Sequence, residues 1–320
     1  MKKIKCGVIG VGYLGRFHAQ KYLKLDNAIL SGVSDINPDA LETVARELNV
    51  PAYLDYRDLL NQVDAVSIAC TTKAHYDIAK TCLERGIHVL VEKPMTETVE
   101  QAKILIECAK QSGAKLQIGH LERFNAARLA LEPYLDHPLF IESHRLAPYT
   151  PRGADVNVIL DLMIHDIDII QTMVNSPIQN IDASGAPVLS NALDIANARI
   201  TFENHCVANV TASRVSFKTE RKMRIFQQQQ YISIDYQNNE FAVFEKGTGE
   251  LFPGIPDVVQ TKQTFEKSDA LFEEIKAFVD CIQQDSTPFV TGEAGCAALE
   301  TASKITDCIH DNLIARYAST

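Results

Sequence analysis

The pattern Gly10-Val11-Gly12-Tyr13-Leu14-Gly15 constrains this chain more than any other stretch. It follows an apolar run at residues 3–9 and opens a helical pattern at residues 15–25. An acidic residue, Asp35, stands about 20 residues beyond it, at the end of a second apolar run. In that setting each glycine has a task. The first permits a tight turn, the second lets backbone approach a pyrophosphate, and the third lets the helix pack closely on the strand. The helix start adds amide donors and a positive dipole end. Gly10, Gly12, Tyr13, Leu14 and Gly15 are therefore expected to hold a dinucleotide. Asp35 would accept hydrogen bonds from the adenosine ribose hydroxyls and repel a 2′-phosphate. Ile36 and Asn37 bring no cation to offset that repulsion, so the expected cofactor is NAD rather than NADP.

Through residue 121 short apolar runs alternate with helical segments, which predicts right-handed crossovers and a doubly wound parallel sheet. Beyond that the texture changes. Residues 122–135 and 158–173 read as helices and 140–146 as a strand. Alternating strands follow at 194–202, 206–215, 223–226, 231–236 and 241–246, separated by polar turns at 203–205, 237–239 and 247–249. Helical patterns at 270–283 and 293–315 close the chain. The expected fold is α/β: a Rossmann domain at 1–121, then an α+β domain at 122–320 with a large, mainly antiparallel open sheet. The second would bind substrate and form oligomers, and the last helix could pack back on the first.

A formal net charge of -10 argues against nucleic acid or anionic membranes as partners. The 8 cysteines are scattered with no C-x-x-C pair, as for reduced thiols in a cytoplasmic protein rather than disulfides or zinc. No stretch has transmembrane length.

Glu92-Lys93-Pro94 follows an apolar run at 87–91, at the carboxyl end of a buried parallel strand, where open α/β sheets bind ligands. Glu92 and Lys93 there are expected to border the cofactor, and Lys93 could touch cofactor and substrate together. Thr71, Thr72 and His75 follow the fourth strand and could border the cofactor, although His75 equally suits a local helix-start hydrogen bond. Asp161 and His165 are spaced i, i+4 and so share a helix face. His165 could accept a proton as an alcohol is oxidised, with Asp161 orienting it. The alternative is an ion pair on a solvated face. No third ligand accompanies them, so no metal is expected. Glu122, Arg123 and Asn125 would border the site, and Arg145, Arg152 and Arg214 are candidate anion ligands.

Together, residues 10–15, Asp35, Glu92-Lys93-Pro94, Gly119 with Arg123-Phe124-Asn125, Asp161 with His165, and Thr291-Gly292-Glu293 resemble the glucose–fructose oxidoreductase/inositol dehydrogenase (Gfo/Idh/MocA) family. The resemblance spans nearly the whole chain. It implies NAD-dependent hydride transfer at a sugar or polyol carbon. It gives Lys93 contacts to the substrate hydroxyl and nicotinamide ribose, makes His165 the base, and implies a cis Lys93–Pro94 peptide. Thr71 departs from the proline often found there. A narrower resemblance, carried by residues 119–125, 148–153 and 160–169, is to the branch containing UDP-N-acetylglucosamine 3-dehydrogenases. It implies oxidation at C3 of a UDP-N-acetylhexosamine for lipid A synthesis, with Arg152 among the substrate contacts. A free sugar, inositol or polyol is the alternative substrate, and an NAD-sensing regulator the alternative class. A homodimer or homotetramer through the second domain's sheet is expected.

Overall fold

The computed structural model describes residues 2–150, 156–266 and 268–318. In chain order, β1 (Ile4–Ile9), α1 (Tyr13–Tyr22), β2 (Ala28–Ser34), α2 (Pro38–Leu48), β3 (Ala52–Tyr53) and α3 (Tyr56–Leu59) come first. β4 (Ala65–Ile68), α4 (Thr72–Glu84), β5 (His88–Glu92), α5 (Val99–Ser112) and β6 (Leu116–Gly119) complete the first sheet. Then come α6 (Ala126–Ala130), β7 (Phe140–Leu146), α7 (Ile164–Val174), β8 (Ile178–Ala186), β9 (Ile195–Phe202) and β10 (Val207–Ser213). β11 (Glu220–Gln227), β12 (Gln230–Asp235), β13 (Glu240–Phe252), β14 (Ile255–Thr264), α8 (Ala270–Gln284) and α9 (Gly292–Ala318) end the chain.

Two compact units result: residues 1–124 with 269–299, and residues 125–268 with 300–320. In the first, six parallel strands run β3-β2-β1-β4-β5-β6. This order reverses direction between β1 and β4, and ligands bind at such a switch point. Helix ends are set locally. Asn37 caps α2 by accepting from the amides of Asp39 and Ala40, with Pro38 in the first turn. Thr98 and Gln101 form a reciprocal capping box on α5. Helix α8 belongs to this unit. Its Ile275, Phe278 and Val279 are fully buried in one cluster with Tyr22, Leu25, Leu30 and Val33. Burying each such side chain contributes roughly 1.5–3 kcal/mol.

The second unit is built on eight strands, β14-β13-β12-β11-β7-β10-β9-β8, antiparallel except for the β7–β10 pair. Three sequence expectations change here. Residues 122–135 are not one helix but α6 flanked by 3-10 turns at Leu121–Phe124 and Glu132–Tyr134. Asn125 breaks the first junction by capping α6, and Pro133 breaks the second. Residues 247–249 are not a turn but lie inside β13, where Gly247 leaves room for the Asp257 side chain of β14 and the Gly249 amide donates to that side chain at 3.0 Å. The hairpin instead turns at Gly254, whose φ is +82°. β8 and β14 add a strand at each edge of the sheet, outside the segments that the alternation singles out.

Candidate active site

The carboxyl ends of β1, β2, β4, β5 and β6 bring Gly10, Asp35, Thr71, Lys93 and His120 to one edge of the first sheet. The glycine loop is fitted tightly. Gly10 has φ +84°, and a Cβ on it would lie 2.6 Å from the Cys70 backbone nitrogen. A Cβ on Gly15 would lie 1.7 Å from the Gly10 carbonyl oxygen. Gly12 differs: a Cβ there would meet nothing within 4 Å. It would occupy the open space at the start of α1, where no side chain caps the helix. That is the space a pyrophosphate needs, so these residues fit a dinucleotide. Tyr13 and Leu14 are exposed beside it.

Asp35 holds the loop. One carboxylate oxygen accepts from the Val11 amide at 2.7 Å and the other from the Asn37 amide at 2.8 Å. Each keeps a second acceptor position, so ribose hydroxyls can still be received.

Lys93 is half-buried and the Lys93–Pro94 peptide is cis. Thr71 is exposed at the start of α4 and Thr72 half-buried behind it. His75 is buried, with Nδ1 2.9 Å from the Pro94 carbonyl oxygen and Nε2 3.2 Å from that of Cys70. Burial lowers its pKa against the opposing pull of those carbonyls. Its place is therefore behind the two loops, as a tie.

Sequence reasoning missed a polar cluster under the same edge. His18 of α1 donates through Nε2 to Glu92 Oε1 at 2.9 Å. Glu274 of α8 is fully buried, and its carboxylate lies with those two groups inside 4.8 Å. Burial alone would raise the Glu92 carboxyl, but the His18 hydrogen bond and the charges of His18 and Lys93 bring it below the usual range. Burial, and then the charge of Glu92, push Glu274 well above it. The available signal was helical spacing: Glu274 falls on the apolar stripe of Leu271, Ile275, Phe278 and Ile282.

In the second unit, Asp161 lies in a π-helical turn at Ile159–Met163 and His165 in the first turn of α7. Both are half-buried. The 3.6-residue spacing used to place them on one face therefore applies only after a wider turn, a feature frequent at functional sites. Arg145 is not an open anion ligand: its guanidinium meets Asp166 at 2.7 and 3.3 Å, both side chains 3% exposed. Arg214 is likewise engaged by Asp194 at 2.8 Å, by Ser190 and by the Val156 carbonyl. Asn125 is buried as well. Its oxygen caps α6 and its amide nitrogen donates to Asn239 at 2.8 Å, so its polar atoms serve the fold. Glu122 and Arg123 are half-buried in the 3-10 turn after β6. Arg152 lies outside the described residues.

The strand order, the glycine loop and the acid ending β2 define a dinucleotide-binding protein of the Rossmann type. The family described as "Oxidoreductase family, NAD-binding Rossmann fold" matches residues 4–120, and its "GFO/IDH/MocA C-terminal domain" matches residues 107–233. The chain belongs to the Gfo/Idh/MocA oxidoreductase family. It is 39% identical over 306 residues to UDP-N-acetylglucosamine 3-dehydrogenase of Acidithiobacillus ferrooxidans, covering 95% of this chain and 97% of that protein. A structure of that enzyme superposes with a TM-score of 0.91 over 97% of this chain and 98% of the other. The scyllo-inositol 2-dehydrogenase (NAD(+)) of Bacillus subtilis is 26% identical, covering 97% of this chain and 95% of that one.

Proposed function

We propose that this protein is an NAD-dependent dehydrogenase that oxidises the C3 hydroxyl of UDP-N-acetylglucosamine to the ketone. What carries the reading is the end-to-end likeness to a 3-dehydrogenase of that sugar nucleotide, with Lys93 and His165 both present. Oxidation removes a hydride from C3 and a proton from its oxygen. When bound, NAD supplies the hydride acceptor. Lys93 donates a hydrogen bond that holds the C3 hydroxyl. His165 takes its proton, and Asp161 orients the base or the sugar. Asp35 receives the adenosine ribose, and Glu122 and Arg123 contact the sugar nucleotide. On the same reading the reaction is cytoplasmic and yields a keto sugar for amination in lipid A synthesis. Among the described residues no helix is long and apolar enough to cross a membrane.

The test is NADH absorbance with UDP-N-acetylglucosamine against free N-acetylglucosamine and inositols. Only the sugar nucleotide should raise the signal; a response to inositols alone would overturn the substrate. Lys93→Ala and His165→Ala should each lower kcat about 100- to 10,000-fold while NAD still raises Tm.

A second copy of the chain is the partner we infer for the second unit's sheet. Phe140, Phe226, Tyr231 and Phe244 stand directly opposite one another across β7, β11, β12 and β13, with ring centroids 5.7, 5.0 and 5.2 Å apart. Beside them the β13–β14 hairpin exposes Leu251, Phe252, Ile255, Val258 and Val259. Apolar patches of this kind mark association surfaces. A monomeric mass by light scattering would refute it.

A further inference from the structure

Three elements of the first unit meet at Glu92, the residue before Lys93. His18 comes from α1, the helix that follows the glycine loop, Glu92 from the end of β5, and Glu274 from α8. Their ligating atoms all lie within 4.8 Å of one another. Glu274 is 0% exposed, and neither carboxylate oxygen has a hydrogen-bond partner among the described residues. Gln117 of β6 is equally buried; its amide nitrogen donates to the Glu274 backbone carbonyl at 3.1 Å, while its own Oε1 has no partner.

A fully buried carboxylate without donors is costly, and a second carboxylate close by adds repulsion. A carboxylic acid in the same place answers both problems. Its hydroxyl becomes a donor, and the Glu92 carboxylate beside it can accept, while Gln117 Oε1 and His18 Nδ1 are buried with no partner among the described residues. Glu92 already receives the His18 donor, so of the two carboxyls it is the one equipped to keep the charge.

We propose that Glu274 is a positioning residue: it carries the single proton that the buried Glu92–Glu274 pair shares, leaving Glu92 as the anion next to Lys93. An anion there favours the ammonium form of Lys93, the form able to donate to a substrate hydroxyl. The further groups around the cluster are Tyr22 of α1, whose hydroxyl bonds Ser67, and His75 of α4. Neither offers a second cation in hydrogen-bond contact with Glu274. The role given to Lys93 rests on the function proposed above; the location of the proton does not.

The experiment begins with infrared difference spectra of unmodified protein and Glu274→Gln, which replaces the acid by a neutral group of similar shape. A protonated-carboxyl band present at neutral pH in the first and lost in the second supports the proposal. Absence of that band in the unmodified protein overturns it, and this reading needs no variant to fold. Metal analysis of purified protein should give far less than one equivalent; one bound divalent ion per chain would mean that a cation, not a proton, neutralises the pair. In turnover, Glu92→Gln should move the basic limb of the kcat/KM profile to lower pH, whereas Glu274→Gln should leave that limb in place. An equal shift in both variants would mean that both carboxyls are ionised. If Lys93→Ala retains full activity, the function given to Lys93 falls while the infrared result still locates the proton.

Discussion

The His75 imidazole is fixed to the loop that carries the proposed catalytic lysine, with Nδ1 2.9 Å from the carbonyl oxygen of Pro94. Nε2 lies 3.2 Å from the Cys70 carbonyl, in the loop packed against Gly10. A neutral ring can donate to one of these at a time. His75→Leu should therefore cost about 1–3 kcal/mol of stability, read by urea unfolding, and lower kcat by loosening Lys93.

The same histidine gives a pH signature. Burial holds its pKa below the ordinary value of 6.5. The unfolded chain then binds more protons than the folded one as pH falls below that value. Its contribution is thus intact above pH 6.5 and is lost on acidification through the folded pKa. His88, lowered by burial and by the charge of Lys115, acts in the same direction. His75→Leu should flatten part of the acid limb of the stability curve; an unchanged limb would assign the whole of it elsewhere.

Gly12 and Gly15 separate binding from folding. Gly15→Ala forces a methyl onto the Gly10 carbonyl, so it should lower Tm sharply and abolish NAD binding. Gly12→Ala places its methyl in open space. Its Tm without cofactor should match the parent within a degree or two, while the rise produced by NAD disappears. A full NAD-induced rise in Gly12→Ala would remove the phosphates from this loop.

Asp35 both clamps the loop and faces the proposed ribose position. Asp35→Ser should raise KM for NAD roughly 10- to 100-fold, equivalent to about 1–3 kcal/mol, and narrow the gap to NADP. Equal KM values for the two cofactors in the unmodified enzyme would refute the discrimination assigned to this carboxylate.

The Arg145–Asp166 pair sits one residue from His165 and is nearly inaccessible to water. Arg145→Met strands a buried carboxylate and should cost about 3–5 kcal/mol. Adding Asp166→Leu removes the stranded charge and should recover much of that loss. A double variant no more stable than the single one would show that the pair matters for more than charge balance.

Much of the first unit was readable because parallel strands buried on both faces are short apolar runs, and the glycine loop names its own geometry. The second sheet was harder at its edges. β8 buries only Ala183, and β14 buries none of its residues, so neither has the alternation that reveals a strand. The glycines of β13 looked like a turn because sequence does not show Asp257 arriving from the next strand. At the site, residue type singles out Lys93 and His165 as the proposed chemical groups. It could not tell that Asn125, Arg145 and Arg214 spend their polar atoms on the fold, since that depends on partners 20 or more positions away. Glu274 was overlooked because an acid on an amphipathic helix ordinarily faces water.

Helix α8, which buries Phe278 among residues of α1 and β2, has a consequence for how the protein is born. The ribosome releases the first sheet long before it makes α8. At about 5–20 residues per second, the intervening stretch takes on the order of 10 s to synthesise. Throughout that interval the nascent first unit lacks part of its hydrophobic interior and shows a sticky face to chaperones and to its neighbours on the polysome.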